Sequence, residues 1–173
     1  MSLQLLYPAP LIHERIATVA AEISKDYAGR TPLLIGVLKG CVVFMSHLLV
    51  NITGEVEIDF VTLQSYGAGT HSGTLTLLKD VGQDLHGREV LVVEDIIDTG
   101  KTVAFLKKHL LDKGAAQVEV VAFVNKTTRR TEEVPRPKYV CFDYAEAPFV
   151  VGFGFDLNER YRNLPEVYQW HED

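Results

Sequence analysis

Cysteine is scarce in this sequence of 173 residues, which contains only Cys41 and Cys141. The two cysteines lie far apart, each inside an apolar run, and no Cys-x-x-Cys pair occurs. This arrangement excludes a zinc ribbon and a framework of disulfides. We therefore expect two buried free thiols in a reducing compartment.

Basic residues are also in deficit, since 17 Lys and Arg stand against 23 Asp and Glu and give a net charge of −6. Such a balance argues against general binding to nucleic acid or to an anionic membrane surface. We therefore expect no nucleic acid and no membrane among its partners, although the net charge leaves a local basic patch open.

Long apolar runs are rare as well. Only the run from Leu33 to Val50 is long enough to suggest a membrane span, and it contains Lys39 and His47. Because a central charge is costly in hydrocarbon, this run predicts a buried strand followed by a buried helix that starts at Cys41. The first ten residues also lack the basic segment and apolar stretch of a signal peptide. The sequence thus predicts a cytoplasmic protein.

The composition, with 47% apolar and 23% charged residues, is typical of a globular protein, and the length fits one domain over residues 1–173. Apolar side chains at helical spacing follow Pro10 and stop at Gly29. Strand, helix and strand alternate from Glu89 to Val124, which predicts an α/β fold with a mainly parallel central sheet between helices. Further strands are predicted at residues 33–38, 56–64, 74–79, 139–144 and 149–155, with a polar turn at 95–99 and a mobile glycine-rich loop at 65–73.

The most informative segment is VLVVEDIIDTGKT, from Val90 to Thr102. Its apolar strand ends in two adjacent carboxylates, Glu94 and Asp95, and ligands of α/β sheets bind at that end of a strand. A turn that opens a helix follows, formed by Asp98, Thr99, Gly100, Lys101 and Thr102. Unpaired backbone N–H groups and the helix dipole make such a turn suitable for a phosphate group.

The same segment has some features of a plain helix N-cap and of a P-loop. An Asp or Thr before a helix is most often only an N-cap, but two carboxylates at the end of a buried strand are costly unless something binds them. The Gly-Lys-Thr end also fits a P-loop, whose first glycine would stand at position 95. That position is Asp95, which would repel nucleotide phosphates, so a P-loop is excluded.

The thirteen residues resemble the phosphoribosyl pyrophosphate (PRPP) binding motif of type I phosphoribosyltransferases, in the form found in the hypoxanthine-guanine branch. Other segments over nearly the whole chain resemble that family in order and spacing. The resemblance implies the type I phosphoribosyltransferase fold, which is a mainly parallel sheet flanked by helices with a small hood built from terminal segments.

The resemblance also implies roles for individual residues. Glu94 and Asp95 would accept hydrogen bonds from the ribose hydroxyls, residues 98–102 would hold the 5′-phosphate, and Asp98 would be catalytic by handling a proton of the purine. The other PRPP-binding residues would be Leu38, Lys39 and Gly40 in a pyrophosphate loop, Ser65 and Tyr66 in a closing loop, and Arg162. The purine would meet Lys126, Phe149, Val150 and Asp156, and Mg²⁺ would lie near Glu94, Asp95 and Asp156.

The implied reaction transfers the 5-phosphoribosyl group from PRPP to hypoxanthine, guanine or both, giving IMP or GMP and pyrophosphate. Two alternatives stay open: a transferase that prefers xanthine, and a PRPP-binding regulatory protein that keeps this fold but binds nucleic acid. The resemblance further implies a homodimer or homotetramer. The apolar helix from Cys41 to Val50 is one candidate for the contact surface, and its apolar face fits the core equally well.

Overall fold

The computed structural model describes residues 2–66, 74–128, 136–145 and 148–171, without the side chains of residues 65, 66 and 74. Most of the predicted loop at residues 65–73 therefore lies outside the described residues. The helices are α1 (Ala9–Asp26), α2 (Cys41–Asn51) and α3 (Lys101–Asp112). The strands are β1 (Ser2–Tyr7), β2 (Leu33–Leu38), β3 (Glu57–Tyr66), β4 (Thr74–Lys79), β5 (Glu89–Ile97), β6 (Gln117–Lys126), β7 (Tyr139–Tyr144), β8 (Val150–Val151) and β9 (Val167–His171).

Within these ranges, the central sheet has six strands in the order β4-β3-β2-β5-β6-β7. Every neighbouring pair is parallel except β3 and β4. The carboxyl ends of β2, β5 and β6 therefore lie side by side at one edge of the sheet. Helices follow β2 and β5, so two helix N-termini also lie at this edge.

Helices cover both faces of the sheet, as the apolar spacing predicts. Helices α1 and α2 pack on one face, where Phe44 of α2 meets Phe123 of β6 with ring centroids 5.3 Å apart. Helix α3 covers the other face with Leu106 and Leu110. Since β2 and β6 are buried on both faces, their sequences are nearly continuous apolar runs. No helix in the described parts of the chain has the length and apolar character needed to cross a membrane.

A smaller sheet in the order β1-β9-β8 is antiparallel and joins the two ends of the chain. Leu3 of β1 stands opposite Trp170 of β9, and Val150 of β8 stands opposite Gln169. This is the hood of terminal segments that the family resemblance implies. The hood places β8 and the turn that follows β8 above the edge of the central sheet where β2, β5 and β6 end.

Three predicted boundaries are wrong. The strand expected at residues 149–155 is only Val150–Val151, because Gly152, Phe153 and Gly154 all have positive φ and form a turn. The polar turn expected at 95–99 starts later, because β5 stays paired with β6 as far as Ile97. Ser65 and Tyr66, expected in the loop, end strand β3 and pair with β4.

Candidate active site

The carboxyl ends of β5 and β6 and the hood enclose a cavity of about 230 Å³. It contains six of the predicted site residues, which come from positions 95 to 156 of the chain. The lining residues are Asp95, Ile96, Asp98, Lys126, Pro148, Phe149, Val150, Phe155 and Asp156. The structure therefore brings the predicted purine-binding residues together with two of the motif carboxylates.

A second hollow, of about 100 Å³, lies at the N-terminus of α3. Its lining includes Thr99, Gly100 and Thr102, and it shares Asp98 with the larger cavity. Gly100 has φ +84°, a conformation that glycine adopts without strain and that turns the chain into the helix. Lys101 is the first residue of α3 and does not line this hollow. The hollow thus presents backbone and hydroxyl groups at the positive end of a helix.

Glu94 and Asp95 form an acidic pair at the end of β5, in which Glu94 is buried and Asp95 is half-buried. Glu94 is only 4% exposed. Burial, and next the charge of Asp95, raise the pKa of Glu94 well above its usual value. Burial also raises the pKa of Asp95 to about 6, against the lowering effect of the Ile96 N–H, which donates to Oδ1 of Asp95 at 2.8 Å. Two carboxylates held in such surroundings have strong affinity for hydroxyl donors and cations.

The loop after β2 packs directly on Asp95. A Cβ atom on Gly40 would lie 1.7 Å from Oδ2 of Asp95, so only glycine fits there. Gly154 also packs on this loop, because a Cβ atom on it would lie 2.2 Å from the carbonyl oxygen of Gly40. The peptide bond between Leu38 and Lys39, just before this contact, is cis. Gly40 therefore contacts both Asp95 and Gly154, and these contacts join the motif, the loop after β2 and the turn after β8.

Charged side chains line the open side of this contact. Arg162 donates to the carbonyl oxygen of Gly154 at 2.7 Å and lies 2.8 Å from Oδ1 of Asp156. Lys39 Nζ donates to Oε2 of Glu159 at 3.0 Å. The predicted PRPP-binding residues Lys39 and Arg162 are therefore near the same carboxylate, that of Glu159, although 123 positions (162 − 39) separate them in the sequence.

Phe149 stands at the mouth of the larger cavity. It is 50% exposed, and its ring meets that of Trp170 edge to face, with centroids 5.7 Å apart. Trp170 also donates its backbone N–H to the carbonyl oxygen of Phe149 at 2.9 Å. An aromatic ring left half exposed beside a cavity is available to cover a flat ligand. Lys126, the last residue of β6, lines the same cavity.

Two of the carboxylates predicted to lie near Mg²⁺ have the chemistry that this ion requires. No cluster of three His, Cys, Asp or Glu side chains able to hold a metal ion occurs among the residues that the structure describes. Mg²⁺ commonly uses one or two protein carboxylates together with waters and substrate phosphates. Asp95 and Asp156 line one cavity, and the charge of Asp156 acts on Asp95, so these two oxygen donors match that requirement.

Sequence reasoning missed Gly154, Glu159 and Trp170. Gly154 and Trp170 reach the site only through the hood, whose strands are short and pair over long distances in the sequence. Glu159 gave a weak signal, because it lies between Asp156 and Arg162 with three-residue spacing in a charged segment. Ser65 and Tyr66 end β3, and their side chains are outside the described part of the structure.

Comparison with known proteins places this geometry in a family. Residues 3–159 match the family described as phosphoribosyl transferase domain. The hypoxanthine-guanine phosphoribosyltransferase of Streptococcus agalactiae serotype V is 43% identical over 165 residues, covering 95% of this chain and 91% of that protein. The enzyme of the same name from Streptococcus thermophilus is 40% identical over 165 residues, with the same coverage of 95% and 91%.

Solved structures agree with the sequence comparisons. The crystal structure of a hypoxanthine-guanine phosphoribosyltransferase from Bacillus anthracis has a TM-score of 0.90 and 34% identity, covering 98% of this chain and 99% of that one. A hypoxanthine phosphoribosyltransferase from Staphylococcus aureus has a TM-score of 0.92 and 33% identity, covering 97% and 91%. The fold, the motif and these relatives together show that the chain belongs to the type I phosphoribosyltransferases, in the hypoxanthine-guanine phosphoribosyltransferase family.

Proposed function

We propose that this protein is a purine salvage enzyme that transfers the 5-phosphoribosyl group of PRPP to hypoxanthine and guanine. The observation that best supports this function is that the phosphate-type hollow at α3 and the larger cavity meet at Asp98. A nucleotide has the same order of parts, with a phosphate at one end and a flat base at the other. Because both sheets line the site, we assign the activity to one domain, residues 1–173.

PRPP would lie along the carboxyl ends of β5 and β2. The ribose hydroxyls would donate to Glu94 and Asp95, which accept hydrogen bonds when ionised. The 5′-phosphate would occupy the hollow, where the N–H groups of residues 99–102 and the hydroxyl groups of Thr99 and Thr102 are donors. The diphosphate would lie over the loop that contains Gly40, next to the positive charges of Lys39 and Arg162.

The purine would occupy the larger cavity. Lys126 would donate to the exocyclic oxygen of a 6-oxopurine, whereas the amino group of adenine cannot accept this bond. Phe149 would cover one face of the ring, and Val150 would offer its backbone groups to the ring edge. Both assignments are supported by the position of these residues in the cavity lining.

In the proposed reaction, the bond between C1′ and the diphosphate oxygen breaks, and its electron pair leaves with pyrophosphate. A purine ring nitrogen then bonds to C1′, and Asp98 accepts the proton that this nitrogen loses. Glu94 and Asp95 stabilise the positive charge that develops on the ribosyl group, since they are preorganised in a site of low dielectric. Bound Mg²⁺ would neutralise charge on the diphosphate.

Changing Asp98 to Asn tests the proton-accepting role. We expect kcat to fall by roughly 10- to 100-fold or more, since an amide cannot accept the purine proton. Pyrophosphate release under saturating substrates measures the effect. Asp112→Asn is the matched control, because Asp112 is exposed near the end of α3 and pairs only with Lys108 in the described structure. Unchanged turnover in Asp98→Asn would show that Asp98 does not accept the purine proton.

Changing Lys126 to Gln tests base recognition. Loss of a hydrogen bond to a charged donor is expected to raise the KM for hypoxanthine roughly 10- to 100-fold. The KM for PRPP should stay within about twofold of the wild-type value, because Lys126 lies at the base end of the site. Lys25→Gln, at an exposed position in the last turn of α1, is the charge-matched control. Equal effects on both substrates would contradict a specific base contact.

The proposed activity is tested by pyrophosphate release with PRPP, Mg²⁺ and, one at a time, hypoxanthine, guanine, xanthine and adenine. We expect turnover with hypoxanthine and guanine and none with adenine. A preference for xanthine would keep the mechanism and change the base assignment. Tight binding of PRPP without turnover of any purine would contradict a transferase and favour a regulatory protein.

We also propose a homodimer or homotetramer. On α2, Val42 and Val50 remain 46% and 82% exposed, and self-association through this helix would cover them. Light scattering after size-exclusion chromatography measures the mass. A monomer at micromolar concentration would contradict the proposed assembly.

A further inference from the structure

Glu159 links the two cations that the proposed function assigns to pyrophosphate. Its Oε2 accepts a hydrogen bond from Lys39 Nζ at 3.0 Å, and its Oε1 lies 3.6 Å from Arg162 Nη2. Each carboxylate oxygen thus faces one positive charge. A phosphate group bound to the same two cations would present its oxygens in the same way.

The backbone of Glu159 is anchored while its side chain is exposed. Its N–H donates to Oδ2 of Asp156 at 2.9 Å. The side chain is 64% exposed, and that of Lys39 is 67% exposed. Arg162 is the more fixed partner, because it is 24% exposed and also binds Asp156 and the carbonyl oxygen of Gly154. The carboxylate of Glu159 can therefore rotate away into solvent while Arg162 stays in place.

We propose that Glu159 competes with the pyrophosphate group for Lys39 and Arg162. It holds the two cations when no substrate is bound, and it takes them back as pyrophosphate leaves. This inference rests on the proposed function, because the competition matters only if a diphosphate binds at these residues. Glu159 would then set the affinity for PRPP and the rate of pyrophosphate release.

Charge explains why the competition is reversible. The competitor is a single carboxylate, which has one negative charge and two acceptor oxygens. A diphosphate has more negative charge and more acceptor oxygens than one carboxylate, so it displaces Glu159. An exposed ion pair stabilises little, so Glu159 adjusts the affinity and does not block the site.

The test compares Glu159→Gln with the wild-type protein by calorimetric titration of pyrophosphate in the presence of Mg²⁺. We expect the Kd of pyrophosphate to fall roughly two- to fivefold in Glu159→Gln, the range expected for loss of an exposed ion pair. The difference should narrow as salt is added, because salt screens exposed charges. In turnover, the KM for PRPP should fall by a similar factor while the KM for hypoxanthine stays unchanged.

Two further variants separate this effect from net charge and from structure. Asp112→Asn removes one negative charge from an exposed ion pair on α3 and should leave the Kd of pyrophosphate unchanged. Glu159→Asp keeps the charge on a shorter side chain, which reaches the cations less well, so its Kd should lie between those of the wild type and Glu159→Gln. A melting temperature near that of the wild type is expected for all three variants, since each change is on the surface.

The outcomes distinguish this inference from the proposed function. If the wild-type protein neither binds pyrophosphate nor turns over PRPP, both the proposed function and the inference about Glu159 are wrong. If the wild type is active and Glu159→Gln binds pyrophosphate equally well or more weakly, the inference alone is wrong. Weaker binding would show that Glu159 assists the bound diphosphate or its metal ion.

Discussion

Replacing Gly40 with alanine is expected to lower turnover about 100-fold or more, since displacement of a reacting group by about 1 Å has an effect of that size. The added Cβ atom would lie 1.7 Å from Oδ2 of Asp95, so either the loop after β2 or Asp95 must move. Gly154 packs on the carbonyl oxygen of Gly40, which restricts the movement of the loop. The substitution therefore separates the proposed diphosphate site from the proposed ribose site.

The rate of pyrophosphate release measures this effect, and a thermal melt shows whether the variant folds. Gly82→Ala is the matched control, because a Cβ atom at Gly82 would have its nearest neighbour, Oδ2 of Asp59, at 3.8 Å. We expect the control to retain wild-type turnover. A folded Gly40→Ala variant with wild-type turnover would contradict the close packing of the two loops.

Changing Asp95 to Asn is expected to stabilise the protein without ligand and to reduce turnover. Burial raises the pKa of Asp95 to about 6, which means that its charge opposes folding at neutral pH. Removing that charge should increase the free energy of unfolding by about 2 to 3 kcal/mol, or raise Tm by roughly 4 to 10 °C. Turnover should fall about 100-fold, since a preorganised charge that acts on the reacting group is lost.

The pH dependence of this gain in stability tests the raised pKa more sharply than the size of the gain at one pH. Well above pH 6 the wild-type carboxylate is charged in the folded state, and the stability gain of Asp95→Asn is complete. As the pH falls from about 6 towards 3.8, the folded wild type takes up a proton before the unfolded chain does, so the gain shrinks. Melting temperatures of both proteins at pH 7.5 and pH 5 measure this change. A gain that is equal at both values would contradict the raised pKa.

The charge of Asp80 is expected to affect the free energy of unfolding in the opposite direction from that of Asp95. Burial alone would raise the pKa of Asp80, but hydrogen bonds from Lys113 and His109 lower this pKa to about 2. Its charge therefore supports folding at neutral pH, and Asp80→Asn should lower Tm at pH 7.5. Opposite signs for the two Asp→Asn changes would show that the acidic pair at the end of β5 is kept at a cost in stability. Such a cost is expected where charge is needed for binding or catalysis.

Sequence alone determined those parts of the molecule whose signals are local. The helical spacing of α1, the apolar runs of β2 and β6, and the motif around β5 and α3 each depend on neighbours within a few turns or one strand. The motif therefore carries the family resemblance, which implies PRPP, without knowledge of any tertiary contact. Its two carboxylates and its helix-opening turn are contiguous, so their order predicts the order of ribose and phosphate.

Only the tertiary structure decided how the other parts meet this motif. The contact between Gly40 and Gly154 and the ion pair between Lys39 and Glu159 join segments more than 100 residues apart, and no local pattern predicts such pairs. Phe153 and Glu159 have positive φ although neither is glycine, so their residue types do not predict the turns that they form after β8. The raised pKa of Asp95 likewise arises from desolvation at a point where the distant loop residue Gly40 packs on its carboxylate, because the cost of a charge depends on the neighbours that exclude water from it.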